Sequence, residues 1–106
     1  MTGAGPSAEV TENADKARYE VRVGADLAGF AEYRARNGRI VFTHTEIDPA
    51  FQGRGLARAL AGAALDDVRE RGLTATPLCP FIADYIRRNP QYAEIVDPAH
   101  RGRLAD

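Results

Sequence analysis

Gln52-Gly53-Arg54-Gly55-Leu56-Ala57 is the stretch on which the reading of this chain turns. It is a glycine-rich turn set between an apolar strand pattern and an amphipathic helix pattern. Glycines let backbone N–H groups turn inward with no Cβ in the way. The first turn of a helix adds unpaired donors and the positive end of the helix dipole. That combination is an anion cradle, and a pyrophosphate fits its dimensions. The plainer reading is a tight strand-to-helix turn with no ligand. Neither of the better-known phosphate motifs is present: there is no G-x-x-x-x-G-K-[ST], and the third glycine of a dinucleotide fingerprint is missing.

Downstream of the turn, over residues 54–71, Leu56, Leu60, Ala64 and Val68 recur every four residues with Ala57, Ala61 and Leu65 beside them. This spacing predicts a helix packed on a sheet, with small residues allowing close approach and Gly72 suited to its C-terminal end. Upstream, residues 39–47 read as a strand with Ile40, Phe42, His44 and Glu46 on one face and Val41, Thr43, Thr45 and Ile47 on the other. Asp48-Pro49 ends it. Asn37-Gly38 is the hairpin signal before it, so residues 27–36 read as its antiparallel neighbour, and residues 18–23 as an earlier strand with Tyr19, Val21 and Val23 on one face. After the helix, residues 73–78 read as a fourth strand. Residues 81–88, with Phe81, Ile82, Tyr85 and Ile86 at helical spacing behind Pro80, read as a short second helix. Asn89-Pro90 stops it, and residues 91–96 suit one more turn.

At 106 residues the chain holds one domain and one core. Residues 1–17 carry almost no large apolar side chain and read as a flexible tail; residues 97–106 read as a polar tail. A net charge of −1 supplies no basic field for nucleic acid. With no apolar run near the roughly 18 residues of a membrane span and no signal-like start, the expectation is a cytoplasmic protein without membrane contact. One cysteine excludes an internal disulfide, and two histidines offer no zinc-ligand spacing, so no metal is expected.

The turn fits the pattern R/Q-x-x-G-x-G/A, with Gln52, Gly55 and Ala57 at its fixed positions. In that pattern, and in the order of three antiparallel strands, motif, long helix, strand and helix over residues 18–96, the chain resembles the GNAT acyltransferase superfamily. Thr43-His44-Thr45-Glu46, the turn, Cys79-Pro80 and Asn89-Pro90 resemble more closely the small GNAT-like proteins described as N-acetyltransferase domain-containing. The resemblance implies an α/β fold with a mixed, largely antiparallel sheet. It implies an N-acetyltransferase that uses acetyl-CoA as cosubstrate, with an amine on a small molecule or peptide as acceptor. It further implies that Gln52, Gly53, Arg54, Gly55, Leu56 and Ala57 hold the pyrophosphate, and that the strand end at Ile47 pairs with the pantetheine. Arg87 and Arg88 either reach the adenosine end or are solvated. The chain lacks room for the helices that usually follow the first strand and for the C-terminal hairpin. The acceptor side should therefore be open, in a monomer or a weak homodimer.

Amine acetylation needs a path for the amine proton, stabilisation of an oxyanion and an acid for the leaving thiolate. Cys79, just after the fourth strand, is either a packed small hydrophobe or a thiol acting as nucleophile or acid. His44 is a core histidine, or a partner that sets the protonation of Cys79. Glu46 is a general base acting through water, or a solvated strand-end charge. Tyr85 falls at core spacing first, and His100 lies in the polar tail and is set aside. The competing reading of the whole is a CoA- or acyl-CoA-binding module without turnover.

Overall fold

A computed structural model describes residues 8–100. Five strands form one sheet in chain order: β1 (Ala8–Asn13), β2 (Arg18–Val23), β3 (Asp26–Arg36), β4 (Arg39–Ile47) and β5 (Thr74–Pro77). The first three pairings are antiparallel and β4 to β5 is parallel. Helix α1 (Leu56–Glu70) makes the crossover between the two parallel strands, and α2 (Pro80–Arg88) follows β5 directly. This is the mixed α/β architecture expected from the sequence. At the β3–β4 hairpin Asn37 and Gly38 both have positive φ, 48° and 80°, the backbone a type I′ turn demands.

The core lies between α1 and one face of the sheet, here called the inner face. Leu60, Ala61, Ala64, Leu65 and Val68 of α1 are fully buried against Tyr19, Val21, Ala31, Ile40 and Phe42. Burial of each large apolar side chain contributes about 1.5–3 kcal/mol, and alanines at 61 and 64 let the helix backbone settle close to the strands. Ile82 and Ile86 bury the inner stripe of α2, while Phe81 and Tyr85 pack at its margin. Both α1 and α2 pack on this inner face, and among the described residues no helix is long and apolar enough to cross a membrane.

Two expectations need correction. The segment read as a flexible tail includes β1 and a 3-10 turn over Ala14–Lys16. The side chains of β1 give no hydrophobic alternation, since within that strand only Val10 packs on the core; what holds it is the backbone ladder to β2 and polar anchors. Glu12 accepts from the Tyr33 hydroxyl and pairs with Arg71, while Asn13 donates to Glu20 at 3.1 Å. Residues 1–7 of that expected tail, and 101–106 of the expected C-terminal tail, lie outside the described residues; Pro98–His100 form a further 3-10 turn.

The second correction concerns β4. Glu32 pairs with His44 but Tyr33 pairs with Phe42, which leaves Thr43 as an extra, bulged residue. Ala31, paired with Thr45, and Tyr33 are both buried on the inner face. The bulge therefore reverses the expected alternation halfway along the strand. Ile40, Phe42, Thr45 and Ile47 face inward, and His44 and Glu46 face out.

Candidate functional site

Pairing of β4 with β5 stops at Phe42 and Pro77, and beyond that point the two strands part. The Phe42 carbonyl accepts from both Leu78 N–H (3.1 Å) and Cys79 N–H (2.9 Å), so the chain leaving β5 is tied down where β4 bulges away. From Thr45 to Ile47 the β4 edge facing β5 carries no strand partner. A cavity of about 550 Å³ opens there, walled by Thr45 and Ile47 of β4, Phe51, the glycine turn, Leu56 and Phe81.

The turn is tied down by hydrogen bonds on its strand side. Asp48 caps a 3-10 turn (Pro49–Phe51) through Ala50 N–H at 2.9 Å, and its own N–H donates to the Ala28 carbonyl at 2.7 Å. Gln52 Nε2 reaches back to the Ile47 carbonyl at 3.4 Å, tying the turn to the strand end. Gly53 and Gly55 have φ of 83° and 75°, in the left-handed region where a Cβ is strained. Gly55 is the N-cap of α1, and no side chain caps that helix. The Gly55 carbonyl accepts from Ala59 at 3.1 Å, so the earlier N–H groups have no carbonyl of their own helix to bond. No acidic residue sits in the first turn. Arg58 lines the cavity, and Arg54 stacks on the Phe51 ring, 5.1 Å from its centroid. Free donors, an unopposed dipole and two arginines suit an anion.

Of the expected binding residues, Ile47, Gln52, Gly53, Gly55, Leu56 and Ala57 border this one cavity, and Arg54 lies beside it on Phe51. Cys79 is only 4% exposed, and its Sγ lies 3.4 Å from Thr45 Oγ1. His44 does not reach Cys79. The bulge puts it on the outer face, where Nε2 lies 3.2 Å from Glu46 Oε1 and the ring faces Phe30 at 6.3 Å. Tyr85 lies on a neighbouring hollow with Arg58, Phe81 and Arg88, its hydroxyl close over Gly62. Arg87 and Arg88 both pair with Asp84, whose carboxyl is held below the usual range chiefly by the Arg88 hydrogen bond.

Thr45 is the residue that strand alternation hides. A signal for it exists in the sequence: Phe42 and Ile47 are five apart, and a straight strand cannot point both inward. If both are core-facing, an extra residue must sit between them, and Thr45 then joins Cys79.

A sequence model described as GCN5-related N-acetyl-transferase matches residues 18–95. The chain belongs to that family. Proteins named NATD1 are its relatives: it is 37% identical to the Gallus gallus protein over 94 residues, 85% of this chain and 86% of that one. With the Xenopus tropicalis protein it shares 47% identity over 57 residues, about half of each chain (52% and 52%). Solved GNAT structures share the fold. A GCN5-like protein of Staphylococcus aureus superposes with a TM-score of 0.64 at 19% identity, over 84% of this chain and 87% of that one. The ribosomal-protein-S18-alanine N-acetyltransferase of Escherichia coli gives 0.53 at 23% identity, over 57% and 39%. β1 lies outside the residues that the family model matches.

Proposed function

We propose that the chain is an acetyl-CoA-dependent N-acetyltransferase acting on an amine. The observation that carries this reading is the uncapped, acid-free start of α1, opening into a cavity beside an unpaired strand edge, in a member of a family of N-acetyltransferases. Backbone donors at Gly53 to Ala57, with Arg54 and Arg58, hold the pyrophosphate; Gln52 keeps the turn in place. The free edge of β4 near Ile47 takes the pantetheine as an added strand would be taken. Acetyl-CoA supplies a thioester carbonyl open to attack and a thiolate that leaves.

The thiol end of such a ligand, running along β4, would come to Thr45 on the cavity wall, and Cys79 stands in contact with the Thr45 hydroxyl. No described base touches its Sγ, and Thr45 Oγ1 does. We assign it the acid role: its proton goes to the departing thiolate while Thr45 holds the sulfur. Glu46, bonded to His44 on the outer face, takes the proton of the attacking amine through water. The proton later returns from solvent to Cys79.

The test is transfer of labelled acetyl from acetyl-CoA to a panel of amines and peptides, with mass analysis of the protein. Acetylated product and an unmodified Cys79 are expected. An acetyl group trapped on Cys79 would convert the acid into a nucleophile. No turnover with intact CoA binding would leave a CoA-binding module in place of the enzyme, and in that event Cys79→Ala and His44→Ala would leave the protein's cellular effect unchanged.

A further inference from the structure

The outer face of the sheet carries a groove that the CoA cavity does not use. Its volume is about 510 Å³; Val41 and Thr76 form its floor, and Thr43 and Leu78 close one end. Those two residues flank the point where β4 and β5 part, so this end of the groove abuts the notch occupied on the inner side by Thr45 and Cys79. Leu78 is 50% exposed, the largest exposed apolar side chain among the described residues. The other end is cationic. Arg34, Arg36, Arg39 and His100 line it.

One carboxylate faces that cluster: Asp97 pairs with Arg39 at 2.9 Å and accepts from Thr76 at 3.4 Å, with His100 Nδ1 at 3.3 Å. Arg34 and Arg36 make no ion pair among the described residues. Further acidic residues of the outer face lie farther along the strands: Glu20 pairs with Arg18 and Arg22, Glu32 sits across from His44, and Glu46 across from Phe30. Along β4 the face thus runs from arginines, past the notch, to the His44–Glu46 pair. The row of Val41 and Arg34 and the row of His44 and Glu32 are two residues apart on β3, roughly 7 Å at about 3.3 Å per residue.

We propose that this groove selects the acceptor, and that the acceptor is an amine carrying a carboxylate or phosphate. The inference rests on the acetyl-transfer reading above and adds the substrate class. The anion sits between Arg34 and Arg36, the stem of the molecule crosses Leu78, and the amine reaches the notch near the His44–Glu46 pair. Neutral and polycationic amines lack the first contact, and the second kind is repelled there.

Binding of probes to the full chain, followed by backbone amide NMR, tests this apart from turnover. The probes are three tripeptide amides with a free N-terminal alanine followed by two glutamates, two glutamines or two lysines, together with O-phosphoethanolamine and ethanolamine. The glutamate peptide and the phosphate amine are expected to bind about tenfold tighter than their uncharged counterparts at low salt, as two modest ion pairs allow. Shifts should centre on Thr43 and Leu78, and the preference should shrink as salt rises. Preference in one anionic probe alone identifies carboxylate or phosphate as the recognised group. The double variant Arg34→Ala/Arg36→Ala should lose the preference while keeping CoA binding. Equal binding of all peptides, tighter binding of the lysine peptide, or a preference that survives the double variant overturns the proposal. Anion preference with no acetyl transfer to any amine would remove the enzyme reading and leave the groove; transfer without preference would do the reverse.

Discussion

Residues 39–42 of β4 are paired on both sides, by β3 and by β5, whereas residues 44–47 are paired by β3 alone, with Thr45 and Ile47 bordering an open cavity. The first half is core: Ile40 and Phe42 are buried and pack beneath α1. In the second half His44 and Glu46 are exposed, and Thr45 and Ile47 are half-buried. One residue, Thr43, separates them. A bulge adds local twist and bends the strand away from its neighbour, so a single insertion turns a continuous sheet into a sheet with a slot. The lesson is that stability and the candidate site share a strand but not the same residues.

The largest effect that tests this division is Phe42→Ala. It removes a fully buried ring and should cost about 3–5 kcal/mol in urea unfolding. Ile47→Ala, beyond the bulge, should cost about 1 kcal/mol and act mainly on CoA affinity, because its side chain is a cavity wall already open to solvent. Equal destabilisation by the two would break the comparison.

Gly29→Ala probes the join between the halves. A Cβ at Gly29 would lie 2.5 Å from the Glu46 carbonyl oxygen and 2.5 Å from Ile47 Cδ1. The first is backbone and cannot swing aside, so the end of β4 must move, at about 1–3 kcal/mol. Thermal melts should show that loss, and amide shifts should spread from Glu46 and Ile47 toward Gln52, which donates to the Ile47 carbonyl. Shifts confined to β2 and β3 would mean the site half is held independently of this contact.

Gly55→Ala should cost about 1–2 kcal/mol for a Cβ at positive φ. Its neighbour there is the mobile end of Arg58, 3.3 Å away, so packing adds little. CoA affinity should fall further than stability. Gly72→Ala is the control: φ is 68° and nothing lies within 4 Å of its Cβ, so it should show similar strain and unchanged CoA binding. Loss of binding in both would make the Gly55 effect one of stability alone.

The closed half was legible where local chemistry alone decides structure. Asn37-Gly38 dictates a turn from two residues, and the four-residue apolar repeat from Leu56 to Val68 dictates a buried helix stripe. The glycine turn was legible for the same reason, since strand end, turn and helix start are contiguous in sequence. What was hidden depends on partners far along the chain. β1 has no apolar face of its own and forms because the β2 edge and the side chains of Tyr33 and Arg71 receive it. The facing of Thr45 and His44 depends on Thr43, whose extra place is defined only against β3. Alternation read along one strand therefore gave His44 the neighbour that Thr45 has.

The smallest expected effect concerns the polar seal on the closed half. Tyr33, opposite Phe42 on β3, donates its hydroxyl to Glu12, and Tyr19 donates to Asp67 at 2.7 Å while accepting from Arg71 at 3.1 Å. Burial first, and the hydrogen bond to Glu12 second, push the Tyr33 phenol up to about 12. Tyr19 is raised in the same way, by burial and then by its bond to Asp67. A raised phenol favours the protonated form in the folded chain, so its contribution is fully present below the unfolded value of about 10 and is lost as pH rises through about 12. Tyr33→Phe should cost about 1 kcal/mol at neutral pH, since the bond it removes is partly exposed at Glu12. Between pH about 10 and about 12 the variant's stability should fall less steeply than that of the parent chain, with Tyr19 retaining part of the slope. Urea midpoints measured across that window decide it. An unchanged slope would assign the alkaline sensitivity to groups other than Tyr33 and detach β1 from the seal, whereas a flattened one, with CoA affinity untouched at pH 7, would place this network wholly on the structural side of the bulge.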